Sequence, residues 1–247
     1  MDGALELSPP PPLARLMEER VLALFLDFDG TLVDIAPAPD EIVVPARLAE
    51  RLRTLSRRLD GRLALITGRS LEDLAGHCPI EGIACAGSHG AARRDAMGQA
   101  LGDAARPLPD GVFDTLHDGA RDLGVALEAK THGAALHFRA DPGKAEQARA
   151  FAAEVASQHA LAVKRGKGVV EITQAGADKG GAVREFMRHA PFVDTIPVFI
   201  GDDVTDEDGM AACNDAGGFG ILVGDRSPTV AQFRLSDVPS VYEWLSL

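Results

Sequence analysis

Residues 21–32 read VLALFLDFDGTL, an uninterrupted apolar run that ends in two aspartates, a glycine and a threonine. A strand buried on both faces of a parallel sheet is continuously apolar, and ligands bind beyond the carboxyl ends of such strands. Asp27 and Asp29 therefore lie where a site is expected. One carboxylate can attack as a nucleophile while the other moves a proton, and together they can bind a hard cation. An ordinary Asp-Gly turn after a strand is the alternative that this segment alone leaves open.

The composition favours an acidic globular protein with a substantial core. The chain has 247 residues, of which 46% are hydrophobic, enough for one large domain or two modest ones. Its 25 lysines and arginines against 37 acidic residues give a net charge of −12. Because this charge repels phosphate backbones and anionic lipid, neither nucleic acid nor a membrane is expected as a partner. A small phosphate can still bind where local cations and a metal make the electrostatic potential positive.

The cysteines and the N-terminus predict a cytoplasmic location. The chain has three cysteines, an odd number, at Cys78, Cys85 and Cys213. They are expected to be reduced, mostly buried thiols. The chain does not begin with a basic segment followed by an apolar one, so no signal peptide is expected. No apolar segment is long enough to cross a bilayer.

Alternating strands and helices predict a parallel α/β sheet. Besides the strand that ends before Asp27, strands are expected at 63–66, 83–86, 197–200 and 219–223. Helices are expected at 45–59 and 179–188, and two more are expected to begin at 71 and near 207. Between 107 and 176 the pattern changes to two helices and four strands, which predicts a small inserted α+β unit. We therefore expect a flexible N-terminal tail at 1–16, a core built from 17–106 and 177–247, and an insert at 107–176.

Several strand ends of the predicted core carry complementary groups. Asp27 and Asp29 follow the first strand, and Thr67 follows the second. Asp202 follows a late strand, and Lys179 begins the helix before it. Because the carboxyl ends of parallel strands share one edge, these groups are expected to converge. Carboxylates, a hydroxyl and an ammonium at one point suit phosphoryl transfer, in which positioning and charge stabilisation dominate.

With these motifs the chain resembles the haloacid dehalogenase superfamily, whose first motif matches DFDGT at 27–31 and whose late motif matches GDD at 201–203. Within it, the chain closely resembles the trehalose-6-phosphate phosphatase family on GSHGAAR at 87–93, LEAK at 127–130 and GKGVVEI at 166–172. The resemblance implies a Rossmann-like parallel sheet core of the haloacid dehalogenase type, with the insert as an α+β cap domain. It also implies a Mg²⁺-dependent enzyme of trehalose biosynthesis, which releases trehalose and phosphate from trehalose 6-phosphate through an aspartyl-phosphate intermediate.

The resemblance assigns separate roles to the first two carboxylates. Asp27 attacks phosphorus, whereas Asp29 protonates the leaving sugar oxygen and then deprotonates the attacking water. Mg²⁺ is held by Asp27, the backbone carbonyl of Asp29 and Asp202. These oxygen ligands suit a hard cation.

Further core residues complete the implied site. Thr67 donates to a phosphoryl oxygen, and Lys179 offsets the negative charge shared by the nucleophile and the phosphate. Asp203 and Asp206 are expected to orient Lys179 or metal-bound waters. Asp178 departs from the family pattern, which commonly has a small hydroxyl residue at this place. We expect Asp178 to cap the following helix from outside the site.

The resemblance also assigns Glu128, Lys130 and Glu171 of the cap to glucose recognition, with His89 and Arg93 as further substrate-binding residues. Charged groups suit this role because their hydrogen bonds to hydroxyls are strong. From the residues alone, the alternation of Glu128 and Lys130 along a strand favours a solvated face instead. His89 between two glycines is compatible with a turn residue, and Arg93 with a surface arginine.

Two other functions stay open. A phosphatase for sucrose phosphate, a hexose phosphate or another sugar phosphate would share the core residues and differ in the cap. A catalytically dead sugar-phosphate sensor could lose Asp29 or Asp202, yet both are present. The expected partner is a small sugar phosphate, and a functional coupling to a trehalose-phosphate synthase is left open.

Overall fold

The computed structural model describes residues 7–36, 41–102, 107–130, 133–166, 168–174 and 177–247, with the backbone alone at Lys130. The chain forms two compact units. The first consists of Met1–Ala104 and Asp178–Leu247, and the second of Ala105–Ala177, a range that contains the insert predicted at 107–176. Among the described residues, no helix is long and apolar enough to cross a membrane.

The described segments contain eleven strands and eight α-helices. The strands are β1 (Leu22–Leu26), β2 (Leu63–Ile66), β3 (Ala84–Gly87), β4 (Ala92–Arg94), β5 (Ala126–Lys130), β6 (Gly133–His137), β7 (Leu161–Gly166), β8 (Val169–Gln174), β9 (Ile196–Gly201), β10 (Phe219–Val223) and β11 (Phe233–Leu235). The helices are α1 (Leu13–Glu19), α2 (Leu48–Arg58), α3 (Leu71–His77), α4 (Val112–Leu123), α5 (Ala145–Gln158), α6 (Lys179–Phe186), α7 (Glu207–Asp215) and α8 (Val238–Leu245).

The strands of the first unit form one sheet in the order β11-β10-β9-β1-β2-β3-β4. Neighbouring strands are parallel except for the antiparallel pair of β3 and β4. β1, β2 and β10 are buried along their whole length, as their continuous apolar sequences predict. The predicted parallel α/β core is therefore confirmed, with β1 in the centre between β2 and β9.

Alternation along β1 separates two hydrophobic clusters, one on each face of this sheet. Leu22, Leu24 and Leu26 pack into a cluster that also holds buried side chains of α1, α2, α3 and α8. Ala23 and Phe25 pack into the other cluster, together with α6 and α7. Because helices cover both faces, polar side chains that must meet a ligand are expected at the carboxyl edge of the sheet.

The prediction of a flexible tail at 1–16 needs correction over its described part, residues 7–16. Helix α1 begins at Leu13, and the buried side chains of Leu13 and Leu16 lie on one face, turned to the core. The indole N–H of Trp244 donates to the carbonyl of Pro11 at 2.8 Å. Prolines remove the local periodicity that a sequence analysis relies on, whereas the order of this segment comes from tertiary contacts with the C-terminal helix.

Besides α1, three elements of the first unit are absent from the sequence predictions. β4 and β11 have three residues each, too short for a period-two pattern to stand out. Helix α8 carries a proline in its first turn and begins after Asp237, whose carboxylate accepts from the N–H of Ser240 at 2.9 Å. Its buried Val241 and Leu245 belong to the same hydrophobic cluster as Leu22, Leu24 and Leu26 of β1.

The second unit is an antiparallel sheet in the order β5-β6-β8-β7, with α4 and α5 packed on one face. Its core joins Leu136, Val170 and Ile172 of the sheet to Leu116 and Ala152 of the two helices. Strands and helices that pack in this way around one core form an α+β unit. The predicted fold class, a parallel core with an inserted α+β unit, is therefore confirmed.

Candidate active site

Asp27 lies directly after β1, at the carboxyl edge of the parallel sheet. Its backbone N–H donates to the carbonyl of Ile200 in β9 at 2.9 Å, so both strands hold it at their common end. The residue is 4% exposed. Nζ of Lys179 donates to Oδ1 of Asp27 at 2.6 Å. The structure thus brings together a carboxylate and an ammonium from distant parts of the chain, as the shared sheet edge predicts.

Asp206 is the second carboxylate in contact with Lys179, and it is completely buried. Its Oδ1 accepts from Nζ of Lys179 at 2.6 Å, and its Oδ2 accepts from the backbone N–H groups of Asp202 and Asp203 at 3.0 and 2.8 Å. Of the two acids expected to orient Lys179, Asp206 makes this contact, whereas Asp203 is exposed. Asp206 therefore ties the ammonium to the loop that follows β9.

Asp178 is the N-cap of α6, because its carboxylate accepts from the N–H of Gly181 at 2.6 Å. The expected capping role is confirmed. Lys179 is the first residue of the same helix, so the cap fixes the turn that carries the ammonium. The departure from the family pattern at this position thus leaves the Lys179 contacts intact.

Burial and like charge disfavour the ionised acids in this cluster. Burial raises the pKa of Asp27, and the Asp206 carboxylate raises it further, against the attraction of Lys179. Burial, together with Asp206 and Asp203, raises the pKa of Asp202 to about 7. Burial alone would lower the pKa of Lys179, but the neighbouring carboxylates outweigh it and raise that pKa above its usual range. The cluster carries more negative than positive charge, which a bound cation would offset.

The same cluster fits a divalent cation. Oxygens of Asp27, Asp202 and Asp206 all lie within 4.8 Å of one another. Both Asp206 oxygens accept N–H bonds, whereas Oδ1 of Asp202 is buried with no hydrogen-bond partner in the described structure. A Cβ at Gly30, whose φ is +82°, would collide with the Asp202 carboxylate, so this glycine keeps the space beside it open. Closely spaced oxygens with one left unsatisfied suit Mg²⁺.

Both carboxylate oxygens of Asp29 accept hydrogen bonds from Arg69, a residue to which the sequence analysis assigns no role. Nε of Arg69 donates to Oδ2 and Nη2 donates to Oδ1, each at 2.7 Å. Nη1 donates to Asp73 in α3 at 2.7 Å. The signal in the sequence is that Arg69 follows shortly after the predicted strand at 63–66, and in the structure this strand, β2, pairs with β1.

Thr67 is fully buried at the end of β2, where its N–H donates to the carbonyl of Ala86 at 2.9 Å. Its hydroxyl oxygen accepts from the N–H of Arg69 at 3.2 Å, which leaves the hydroxyl hydrogen for another acceptor. The N–H of His89 donates to the carbonyl of Thr67 at 2.9 Å, and the His89 ring lies against Gly68. His89 is therefore part of the loop cluster around Thr67.

Arg93 lies in the edge strand β4, opposite Ala86 of β3, and is half-buried. Arg93 interacts electrostatically with Glu185 of α6. The pKa of Glu185 is lowered mainly by a hydrogen bond from His189, and the positive charge of Arg93 lowers it further. Arg93 is thus placed in the same unit as Asp27 and Lys179, on the strand that follows His89.

Glu128 and Glu171 lie on one face of the sheet of the second unit. Glu128 is opposite Ala135 of β6, and Ala135 is opposite Glu171 of β8, so both acids point away from the face that carries the hydrophobic core. Oε2 of Glu128 is 2.7 Å from Nε2 of His137. Lys130 is the last residue of β5, and its side chain lies outside the described part of the chain.

Comparison with known sequences identifies one family. The family described as trehalose-phosphatase matches residues 25–239. The chain is 40% identical over 231 residues to the trehalose-6-phosphate phosphatase of Escherichia coli strain K12, an alignment that covers 91% of this chain and 85% of that protein. It is 39% identical over 226 residues to a probable trehalose-phosphate phosphatase of Sinorhizobium fredii, covering 88% of this chain and 83% of that protein.

Solved structures share the fold at lower identity. The C-terminal domain of the C. albicans trehalose-6-phosphate phosphatase gives a TM-score of 0.75 at 22% identity, with 98% of both chains covered. The Aspergillus fumigatus trehalose-6-phosphate phosphatase gives 0.73 at 23% identity, covering 97% of this chain and 98% of that one. A phosphatase of the haloalkanoate (HAD) superfamily from Bacteroides thetaiotaomicron gives 0.68 at 19% identity, covering 92% and 94%. These likenesses concern the fold alone.

Proposed function

Because this chain belongs to the trehalose-phosphatase family, we propose that it hydrolyses trehalose 6-phosphate to trehalose and inorganic phosphate. The observation that carries the chemistry is the buried contact of Asp27 with Lys179, beside an Asp202 oxygen that has no hydrogen-bond partner among the described residues. A carboxylate that is paired with an ammonium and lies next to a cation site can approach an anionic phosphate. The names of the relatives at 40% and 39% identity support the choice of substrate.

In the first step an oxygen of the Asp27 carboxylate attacks phosphorus, and the bond between phosphorus and O6 of the sugar breaks. Asp29 gives a proton to O6, so the sugar leaves as an alcohol, and Asp27 becomes an aspartyl phosphate. The ammonium of Lys179 lies 2.6 Å from Oδ1 of Asp27 and offsets the charge of the approaching phosphate. The hydroxyl of Thr67 donates its hydrogen to a phosphoryl oxygen.

In the second step a water molecule attacks phosphorus, and the bond between phosphorus and the Asp27 oxygen breaks. Asp29, now a carboxylate, takes a proton from this water. Inorganic phosphate leaves and Asp27 is regenerated. Two displacements at one phosphorus let a single side chain, Asp29, act first as an acid and then as a base.

Mg²⁺ held by Asp27, Asp202 and the backbone carbonyl of Asp29 supplies positive charge to the phosphoryl oxygens when it is bound. The contribution of the protein is to hold Asp202 in place. Asp206 accepts the N–H of Asp202 at 3.0 Å and so fixes the loop that carries this ligand. The ligand role of the Asp29 carbonyl rests on the family resemblance.

We assign recognition of the sugar hydroxyls to Glu128, Lys130 and Glu171, with His89 and Arg93 as further substrate-binding residues. The support is the shared face of Glu128 and Glu171, away from the hydrophobic core, where their carboxylates can accept from hydroxyls. Glu171→Gln is expected to raise the KM for trehalose 6-phosphate at least about tenfold, the loss of a charged hydrogen bond. If Glu171 merely lies on a solvated face, Glu171→Gln will leave the KM unchanged. The matched control is Glu146→Gln, at an exposed glutamate of α5, which is expected to leave the KM unchanged.

Phosphate release from trehalose 6-phosphate, measured with and without Mg²⁺, tests the proposed function. Asp27→Asn is expected to lower turnover by at least about 1,000-fold, because an amide cannot form the covalent intermediate. Near-normal turnover of that variant would reject the nucleophile. A clear preference for sucrose 6-phosphate or glucose 6-phosphate would reject the substrate. Binding of trehalose 6-phosphate without any turnover by the natural protein would favour a sensor.

A further inference from the structure

We propose that Arg69 is a positioning residue for the proton transfers of Asp29. Its guanidinium donates through Nε and Nη2 to the two oxygens of Asp29, each at 2.7 Å. A two-bond contact between these planar groups fixes both the position and the plane of the carboxylate. The inference rests on the proposed function in one respect, that Asp29 exchanges a proton with the leaving oxygen and then with water.

The contact differs from an ordinary surface ion pair in its burial and in its support. The Arg69 side chain is 8% exposed, and that of Asp29 is 33% exposed. Arg69 is also held by Asp73, whose Oδ2 accepts from Nη1 at 2.7 Å. Asp73 lies in the first turn of α3, and its N–H donates to the side chain of the N-cap Ser70 at 3.0 Å. The contacts therefore run from a capped helix, through the guanidinium, to the carboxylate.

The backbone of Arg69 is anchored to the loops around Thr67 as well. Its N–H donates to the Thr67 hydroxyl at 3.2 Å, and its carbonyl accepts from the N–H of Ser88 at 2.7 Å. The same carbonyl would lie 2.9 Å from a Cβ at Gly87, so the two loops approach closely. The guanidinium is thus presented to Asp29 from a backbone with little freedom to move.

The place of Asp29 in the chain explains why it needs such support. Asp29 lies beyond the end of β1, and the next residue, Gly30, has a φ of +82°. The strand ladder therefore does not extend to Asp29, and a partly exposed aspartate has several rotamers open to it. A displacement of about 1 Å at a reacting group can cost about 100-fold in rate. Arg69 removes this freedom by engaging both oxygens.

A comparison of two leaving groups isolates the proton transfer to the sugar. The value of kcat/KM reports the first irreversible step, the transfer of the phosphoryl group to Asp27. A sugar alkoxide needs a proton to leave, whereas the phenolate of 4-nitrophenyl phosphate does not. Arg69→Lys keeps the charge but loses the two-bond contact. It is expected to lower kcat/KM about 10- to 100-fold for the sugar phosphate and by less than about threefold for the aryl phosphate.

A double-mutant cycle tests whether Arg69 acts through Asp29. In an Asp29→Asn background, Arg69→Lys is expected to cause no further loss, because the group that it positions no longer moves a proton. Asp73→Asn, which loosens Arg69 from the other side, is expected to show a smaller loss with the same dependence on the leaving group. The matched control is Glu72→Gln, which removes one negative charge from an exposed neighbour in the same turn and should leave both substrates unchanged.

Equal losses on both substrates, or a loss that adds to that of Asp29→Asn, would give Arg69 a purely structural role and overturn the proposal. If Arg69→Lys does not fold, Asp73→Asn carries the same test with Arg69 in place. The series uses whichever sugar phosphate the natural protein hydrolyses fastest. Failure of trehalose 6-phosphate as a substrate therefore rejects the proposed function and leaves the test of Arg69 intact. Failure to hydrolyse any phosphate monoester would overturn both.

Discussion

The substitution Asp202→Asn is expected to stabilise the metal-free protein. Burial and the neighbouring carboxylates raise the pKa of Asp202 from 3.8 to about 7. At about 1.4 kcal/mol per pH unit, the charged form costs about 4 kcal/mol of folding free energy above pH 7. Because the side chain is partly exposed and its surroundings relax, we expect the neutral amide to recover about 1–3 kcal/mol. That gain corresponds to about 3–10 °C in Tm.

The stabilisation by Asp202→Asn is expected to depend on pH. A raised pKa means that the folded protein binds the Asp202 proton more tightly than the unfolded chain does. Stability of the metal-free protein therefore falls as the pH rises from about 4 to about 7. The advantage of Asp202→Asn should be largest at pH 8 and should shrink to about 1 kcal/mol or less at pH 4.5.

Thermal unfolding in EDTA at pH 8 and pH 4.5 measures the stability advantage of Asp202→Asn. Mg²⁺ in place of EDTA is expected to offset this advantage. At about 100 times its dissociation constant, Mg²⁺ adds about 2.7 kcal/mol to a protein that binds it. The natural protein should gain this stability and the variant should not. Asp225→Asn, the same substitution at an exposed aspartate, is the control and should change neither quantity. Equal stabilisation of both proteins by Mg²⁺, or no advantage of the variant at pH 8, would refute the reasoning.

Three further substitutions probe how the first unit is built. Gly30→Ala is expected to weaken Mg²⁺ binding at least about tenfold by calorimetry, because its Cβ would collide with the Asp202 carboxylate. Gly224→Ala, at a φ of +88° but facing open space, should leave the affinity unchanged. Trp244→Phe removes the hydrogen bond to the proline-rich segment and should cost about 1 kcal/mol in chemical denaturation, with turnover unaltered. Asp178→Ala should cost about 1 kcal/mol through loss of the α6 cap, and a serine at this position should restore most of it.

Much of the core follows from local features of the sequence. The apolar run before Asp27 predicts a buried strand, and the structure has β1 in the centre of the sheet. The convergence of Lys179 and Asp202 with Asp27 follows from the shared edge of a parallel sheet, and Thr67 lies at the end of the neighbouring strand β2. Ser70 and Asp178 cap their helices as the sequence predicts, because capping depends on residues within one turn.

Other features lie beyond such local patterns. Residues 7–16 have no periodicity of their own, and their position depends on contacts with α8, more than 200 residues further along the chain. Arg69 stands next to a recognised strand end, yet nothing near it in the sequence identifies Asp29 as its partner. The distinction between Asp203 and Asp206 is also invisible in a run of acids, since only one of them turns inward.

The sequence by itself therefore determined the fold class and the chemical groups at the sheet edge, because periodicity, caps and strand-end motifs are set by neighbouring residues. The tertiary structure alone decided how these groups are paired. Lys179 bridges Asp27 and Asp206, Arg69 holds both oxygens of Asp29, and one Asp202 oxygen is left buried with no hydrogen-bond partner among the described residues. The physical reason is that burial, like-charge repulsion and hydrogen-bond geometry depend on distances between residues far apart in the chain.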